Sequence, residues 1–352
     1  MNQLHRYLSS RESRESGDLG FKTNIDEIRP YLNNLIHVFE FLYDVSNPKV
    51  SNNVVDPRSI LLILQEELKH VNFNVFQSND PHEFLYLLLK KIAEWEKLCR
   101  RSTLRYVLDN DKQEEKSIHF RLANEAWNEH LKQDVSPFTD LFDGLLFWTT
   151  TCLSCKSESS RKPEKFITLE VEPHENTQSS LEKSFCCTEG AYDWTCSECK
   201  RENAPNARQC GFWLLPRVLI IHVNRFDAND RNKKIKTPMF PSPLIDVSSF
   251  TSPYRPRFWS PVYDLRSIVS HTGNCLDDGH YTAVVKHDGK WVLYDDDHVF
   301  ALSTGFKKQR SKNSKKSSRE DEDEDEGEEA EHTILSQYKN TCYLLAYEKR
   351  RG

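Results

Sequence analysis

Two sets of residues in this 352-residue chain have the types and spacing for chemistry. The first is in "DDGHYTAVVKHDGKWVLYDDD", residues 277–297, where His280 opens one alternating apolar run and Asp295 closes the next, with Asp296 beside it. An imidazole accepts and returns a proton near neutral pH, and a carboxylate on its second nitrogen fixes the tautomer, so the pair suits an oriented general base. Taken alone, "HYTAVV" also fits a structural histidine in a hairpin. The second set is Cys152 and Cys155 in "TTCLSCKSES" with Cys196 and Cys199 in "WTCSECKREN". Two CxxC turns each present two thiolates to one ion, and four thiolates in a tetrahedron are a structural zinc site. Reduced, metal-free cysteines are the alternative, but neither pair lies in a thioredoxin-like βαβ context. Cys186, Cys187 and Cys210 are read as ordinary thiols.

The elements around these residues change character along the chain. The first part is helical: "IDEIRPYLNNLIHVFEFLYDV", "PRSILLILQEELKHV" and "IHFRLANEAWNEHLKQD" repeat apolar residues at three and four spacing. In "QSNDPHEFLYLLLKKIAEWEKL", Asp80 is placed as N-cap, Pro81 at the first helical position and Glu83 three residues after the cap. From about residue 138 short alternating runs take over: "LLFWTTTCLSC", "KFITLEVEP", "RVLIIHVNRF", "VYDLRSIVSH", "HYTAVVKH", "KWVLYDD" and "CYLLAYEK". Helices followed by antiparallel strands without βαβ alternation predict an α+β fold. The zinc ligands are about forty residues apart, so the intervening chain must contain strands of its own, "KFITLEVEP" among them.

Composition excludes several classes. No run reaches the roughly 18 to 20 apolar residues that span a bilayer, and the N-terminus is too polar for a secretory signal, so the chain is expected to be soluble and intracellular, in cytoplasm or nucleus. A formal charge of −6 argues against a general nucleic-acid binder, and a zinc-ribbon nucleic-acid module is disfavoured further by the lack of basic and aromatic interleaving near the knuckles. Residues 306–332 are a basic block followed by an acidic one with almost no apolar side chains. They are expected to be a solvated surface insertion; a nuclear-targeting or docking segment is the alternative.

In order, "NDPHEFL", a CxxC after an apolar strand, "WTCSEC" with "LLPRVLIIHVNRF", "YDLRSIVSHTG", "DDGHYTAVV", "WVLYDDDHV" and "CYLLAYEK" resemble the catalytic domain of ubiquitin-specific proteases, from about residue 76 to 349. The resemblance implies a papain-like fold of thumb, palm and fingers, with zinc knuckles in a zinc-ribbon-like fingers region. It partitions the chain into a helical thumb-like part, 1–137; fingers, 138–211; a palm sheet, 212–305 and 333–349; and the charged insertion, 306–332. It implies thiol-dependent hydrolysis of isopeptide or peptide bonds at the ubiquitin C-terminus, with ubiquitin or ubiquitinated proteins as partners and neither nucleic acid nor membrane. His280 matches the base, Asp295 the orienting residue and Asp296 an assisting carboxylate. Asp80 and Glu83 match positions that contact the basic ubiquitin tail, although Ser78 and Asn79 stand where the family usually has glutamines, and Asp80 can equally be only a cap. Asn224 stands where lysine is common; "RVLIIHVNRF" is read as core strand and His222 as a packed histidine.

The family nucleophile belongs in a stretch like GLxNLGNTCYMNS ahead of the thumb helices. No cysteine precedes Cys99 here, and Cys99, in "WEKLCRRS", has no matching neighbours. The sequence therefore leaves His280 and Asp295 as a base without its nucleophile. Two expectations follow: an inactive ubiquitin-binding pseudoenzyme, or a chain beginning downstream of the cysteine box, with "MNQLHRYL" matching the family's "MNS".

Overall fold

The computed structural model describes residues 30–31, 33–38, 56–71, 73–99, 117–133, 137–185, 188–189, 193–227, 230–254, 261–275, 279–302 and 329–350. They fall in two compact units, one drawn from Met1–Tyr106 with 134–136 and the other from Val107–Gln133 with Pro137–Gly352.

The described part of the first unit is helical. Residues 33–38 form one helical stretch, followed by α1 (Arg58–Glu67), a 3-10 turn (Lys69–Val71) and α2 (Pro81–Cys99). Leu64, Leu68, Ile92 and Trp95 are buried at helical spacing. Asp80 begins α2 as expected: its Oδ1 accepts the His82 N–H at 2.7 Å, while Pro81 occupies a position where no donor is needed. Gln65 fastens the intervening loop, accepting the Val75 N–H at 2.9 Å.

The second unit contains α3 (Ile118–Gln133), α4 (Pro137–Phe142), β1 (Gly144–Cys152), β2 (Glu158–Phe166), β3 (Thr168–Val171), α5 (Thr177–Phe185), β4 (Thr188–Glu189) and β5 (Asn206–Leu214). There follow β6 (Val218–Val223), β7 (Phe226–Asp227), β8 (Asp230–Lys234), β9 (Leu244–Asp246), β10 (Val262–Gly273), β11 (Gly279–His287), β12 (Lys290–Asp295), β13 (His298–Ala301), α6 (329–336) and β14 (Cys342–Lys349). Two sheets dominate. One has the order β2-β1-β5-β4; the other runs β13-β12-β11-β10-β14-β6-β3 with β9 on β10. The α+β expectation holds; among the strands of the described residues the β3–β6 pair is parallel.

Three features differ from the sequence reading. α3 belongs with the sheets and not with the earlier helices, because His119 and His130 anchor it to carboxylates of that unit, Glu158 at 2.5 Å and Asp143 at 2.7 Å. α5, in "TQSSLEKSF", gives little periodic signal, yet Asn176 caps it by accepting the Ser179 N–H at 2.9 Å, and Leu181 and Phe185 are buried. "KFITLEVEP" is divided between the sheets, since Phe166 ends β2 and Thr168 starts β3.

The charged stretch 306–332 does not end where its composition suggests. Residues 303–328 lie outside the described residues, but 329–332 already form the first turn of α6. Glu331 accepts from Lys286 Nζ at 2.5 Å and Trp291 Nε1 at 3.0 Å, and Ile334 and Leu335 behind it are buried. Composition places Glu331 with the acidic run; the tertiary partners on β11 and β12 take it out. Because this carboxylate is about a fifth exposed and holds two donors, Glu331→Ala should lower unfolding free energy by about 1.5 kcal/mol. Glu331→Gln should lose less, as read by urea denaturation.

Candidate active site and metal centre

A tight turn sets the geometry around His280. Asp288 and Gly289 join β11 to β12, both with positive φ, +47° and +76°, which is the two-residue hairpin turn that Asp-Gly favours. The turn fixes His287 opposite Lys290 and, along the ladder, Ala283 opposite Tyr294. One residue further on, Asp295 falls across from Thr282. Side chains alternate along a strand, so His280, Thr282 and Asp295 share one face, with His280 and Asp295 as diagonal neighbours. On that face Ser270 and Thr282 hydroxyls are 2.8 Å apart, and Thr272 donates to His280 O at 3.2 Å.

His280 Nε2 lies 2.5 Å from Asp295 Oδ1, both side chains being a little under half exposed. With Nε2–H donated to the carboxylate, Nδ1 is the proton-accepting nitrogen. Asp296, at φ +50° in the turn to β13, brings a second carboxylate so that ligand atoms of all three residues lie within 4.8 Å of one another. The hydrogen bond to Asp295 raises the His280 pKa above its ordinary value; slight burial opposes, and the charges of Asp296 and Asp295 add to the rise. The paired imidazolium therefore favours the fold below about pH 6.5, and that contribution is lost as pH climbs through the raised value.

Gly279 has a role the sequence does not reveal. A Cβ there would lie 2.2 Å from His271 Nε2 and 2.6 Å from Thr272 O. The residue before the imidazole must be glycine because the buried His271 ring packs on its backbone. Asp277 and Asp278, just ahead of it, lie outside the described residues.

The four knuckle cysteines come together at the far end of the β1–β5 sheet. Cys152 Sγ is 4.0 Å from Cys199 Sγ, Cys155 Sγ is 3.8 Å from Cys196 Sγ, and all four lie within 4.8 Å. A tetrahedron with Zn–S bonds of 2.3 Å has edges of about 3.8 Å, so the donor set fits a closed structural zinc site. Both knuckles turn the same way: Lys156 and Lys200, each following a second cysteine, adopt φ +60° and +58°. Burial resists ionisation of Cys196, yet the Cys199 and Glu198 N–H groups and the Ser159 hydroxyl outweigh it and hold this thiol down at about 6. Cys199 is pushed up to about 11: the Arg201 N–H favours its thiolate, but burial and the other three sulfurs prevail. A dication would relieve that mutual opposition. Only Cys152, Cys196, Ala204 and the partly buried Trp194 form a local apolar cluster among the described residues. Cys210 is buried away from the four, its thiol pushed up to about 12 mainly by that burial.

A family model described as ubiquitin carboxyl-terminal hydrolase matches residues 1–347. The chain belongs to this family. Among its relatives, ubiquitin carboxyl-terminal hydrolase 12 of Salmo salar is 28% identical over 298 residues, which are 78% of this chain and 74% of the relative. Ubiquitin carboxyl-terminal hydrolase 13 of Saccharomyces cerevisiae is 27% identical over 260 residues, 71% of this chain and 31% of that one. The fold resembles that in the SAGA Ubp8/Sgf11/Sus1/Sgf73 DUB module bound to ubiquitin aldehyde, with a TM-score of 0.59, 18% identity, and coverage of 99% of this chain and 64% of the solved one. The chain thus spans just under two thirds of that solved chain and under a third of the yeast relative. No described helix is long and apolar enough to cross a membrane.

Within this ubiquitin carboxyl-terminal hydrolase domain the sequence-derived residues of the second unit gather in two places. His280, Asp295 and Asp296 meet at one sheet end, and the four cysteines meet in the knuckles. Asp80 and Glu83 lie in the other unit, at the start of α2. α2 runs through Cys99, whose side chain is outside the described residues, as are Cys186 and Cys187. His222 is packed as expected, edge-on to Tyr343, and Asn224 donates to Glu172 at 3.2 Å. Ser270, Thr272 and Thr282, the polar floor under His280, were not singled out by sequence, although alternation from His280 marks Thr282.

Two outcomes are expected here. Cys196→Ser should reduce zinc from one ion per chain toward none by elemental analysis and loosen the knuckle amides first in hydrogen exchange. Asp295→Asn should lower the His280 pKa toward about 6.5 in an NMR titration, since it removes the bonded charge.

Proposed function

We propose that this chain is the scaffold of a thiol-dependent deubiquitinase, with His280 as general base, Asp295 as the carboxylate that orients it and Asp296 as an assisting charge. The observation that carries the reading is the 2.5 Å bond from His280 Nε2 to Asp295, within the fold of this hydrolase family. Asp295 leaves Nδ1 to take the proton of a thiol; the raised pKa of His280 favours the imidazolium–thiolate form. The thiolate adds to the carbonyl carbon at the ubiquitin C-terminus. The imidazolium then protonates the departing amine, and water, deprotonated by the same imidazole, releases ubiquitin from the thioester. Asp80 and Glu83 offer carboxylates suited to the basic ubiquitin tail. Zinc held by Cys152, Cys155, Cys196 and Cys199 would supply rigidity and no chemistry. The relative solved with ubiquitin aldehyde supports ubiquitin as the partner class; the compartment proposed is cytoplasm or nucleus.

Residues 1–98 contain no cysteine, and this favours a second reading in which 1–352 binds ubiquitin without turning it over. A base alone would have to activate water against an amide, without the nucleophile and oxyanion donors that supply several kcal/mol. Residues 1–352 should bind ubiquitin, yet form no adduct with a ubiquitin-electrophile probe and release no fluorophore from a ubiquitin C-terminal substrate. Labelling of the chain, at Cys99 above all, would sink this account. In a longer chain bearing an NTCY-type box, the probe should react, and His280→Ala should slow that reaction on the order of 10³-fold.

A further inference from the structure

Lys234, the last residue of β8, faces the end of β10. Its Nζ is 2.7 Å from His271 O, 3.1 Å from Gly273 O and 3.1 Å from His271 Nδ1. The three donors of the ammonium thus meet three acceptors. The need for such a donor follows from the sheet. β14 ends its pairing with β10 at Ser270 opposite Cys342, and the His271 N–H reaches Thr341 O at 2.8 Å. β10 continues to Gly273, so the carbonyls of His271 and Gly273 face the edge that β14 has left. Lys234 takes the place of the missing strand.

On its other edge the same short piece of β10 carries β11: His271 opposite Tyr281, Thr272 opposite His280, Gly273 opposite Gly279. The His271 ring, held by Lys234 at Nδ1, also rests on the Gly279 backbone. We propose that Lys234 is a positioning residue for His280: by fastening the overhanging end of β10, it fixes the first residues of β11 so that the imidazole meets Asp295. This rests on the reading of His280 as the base. Lys234 acts from the back of the sheet, since His271 and Tyr281 share one face and Thr272 and His280 the other; their rings confirm the former, with centroids 4.6 Å apart. Its site is not one an ammonium takes without reason. Burial, then the nearby Arg225 and Lys236, hold the Lys234 pKa below the usual lysine value.

The test is an NMR titration of labelled histidine in the full 352-residue chain, comparing wild type, Lys234→Met, Lys234→Arg and Asp295→Asn. Removing a positive charge alone would raise the His280 pKa; losing its position weakens the Asp295 bond and lowers it. In K234M the His280 value should fall toward that of D295N, and K234R should stay near wild type, with zinc content unchanged in both. Should K234M not fold, Lys234→Gln, whose two donors on an arm one bond shorter cannot serve all three acceptors, is expected to show a smaller fall of the same sign. A His280 value at or above wild type in K234M or K234Q overturns the proposal. Ubiquitin binding by the same samples separates the two failures. Loss of binding in wild type would refute the functional reading and leave the lysine result standing, whereas intact binding with an unmoved His280 would refute the role of Lys234 alone.

Discussion

The register of β11 on β12 is the constraint from which the rest of the site follows. A strand has a period of two, so a slip by one residue would send Asp295 to the opposite face from His280 and Trp291 out of the core. The Asp288–Gly289 turn sets that register by requiring left-handed backbone at both positions, which its two residues tolerate better than most. Trp291, 3% exposed, reinforces it, because only the observed register buries the indole and brings its N–H to Glu331. The hydrogen bond between His280 and Asp295 is thus the far end of a ladder whose near end is a turn and whose middle is a buried aromatic.

Cations in place of strands are a second feature of this unit. Arg225 is fully buried and donates to Cys342 O at 3.1 Å, Lys339 O at 3.1 Å and Thr237 O at 2.5 Å, with Cys342 Sγ 3.2 Å from its Nη2. These are carbonyls at the entrance of β14 and beside β8, where chain segments arrive without a regular ladder to receive them. A guanidinium offers five donors in a fixed plane and can serve several such acceptors at once. The cysteine knuckles solve a related problem differently. Their local apolar cluster is too small to hold them, and four converging sulfurs suited to zinc stand where a core would otherwise be needed.

Strong local signals made much of this legible in the sequence. The cap and first turn of α2, the periodic helices and the alternating strands were readable because each depends on short-range backbone chemistry. So were the two CxxC knuckles, whose ligand spacing is itself local. The family likeness joined His280 to Asp295, and alternation through a two-residue turn agrees with it. Elements with weak patterns were not readable: β2, "ESSRKPEKF", carries a proline and five charges yet forms a strand because β1 pairs along its length. α5 is similar, since its helix depends on an Asn176 cap and on the cavity that receives Leu181.

The amino-acid sequence by itself determined the α+β class and the four-cysteine donor set, because residue type and spacing suffice for each, while the family likeness was needed to join His280 to Asp295. Only the tertiary structure decided why Gly279 must lack a side chain, why Glu331 belongs to the folded core and not to the acidic tract, and what Arg225 and Lys234 hold. Each of those depends on partners distant along the chain: His271 and Thr272 behind Gly279, Lys286 and Trp291 about Glu331, and carbonyls left at strand ends for the two cations. Which carbonyls are left is set by where neighbouring strands stop, and that is a property of the assembled sheet.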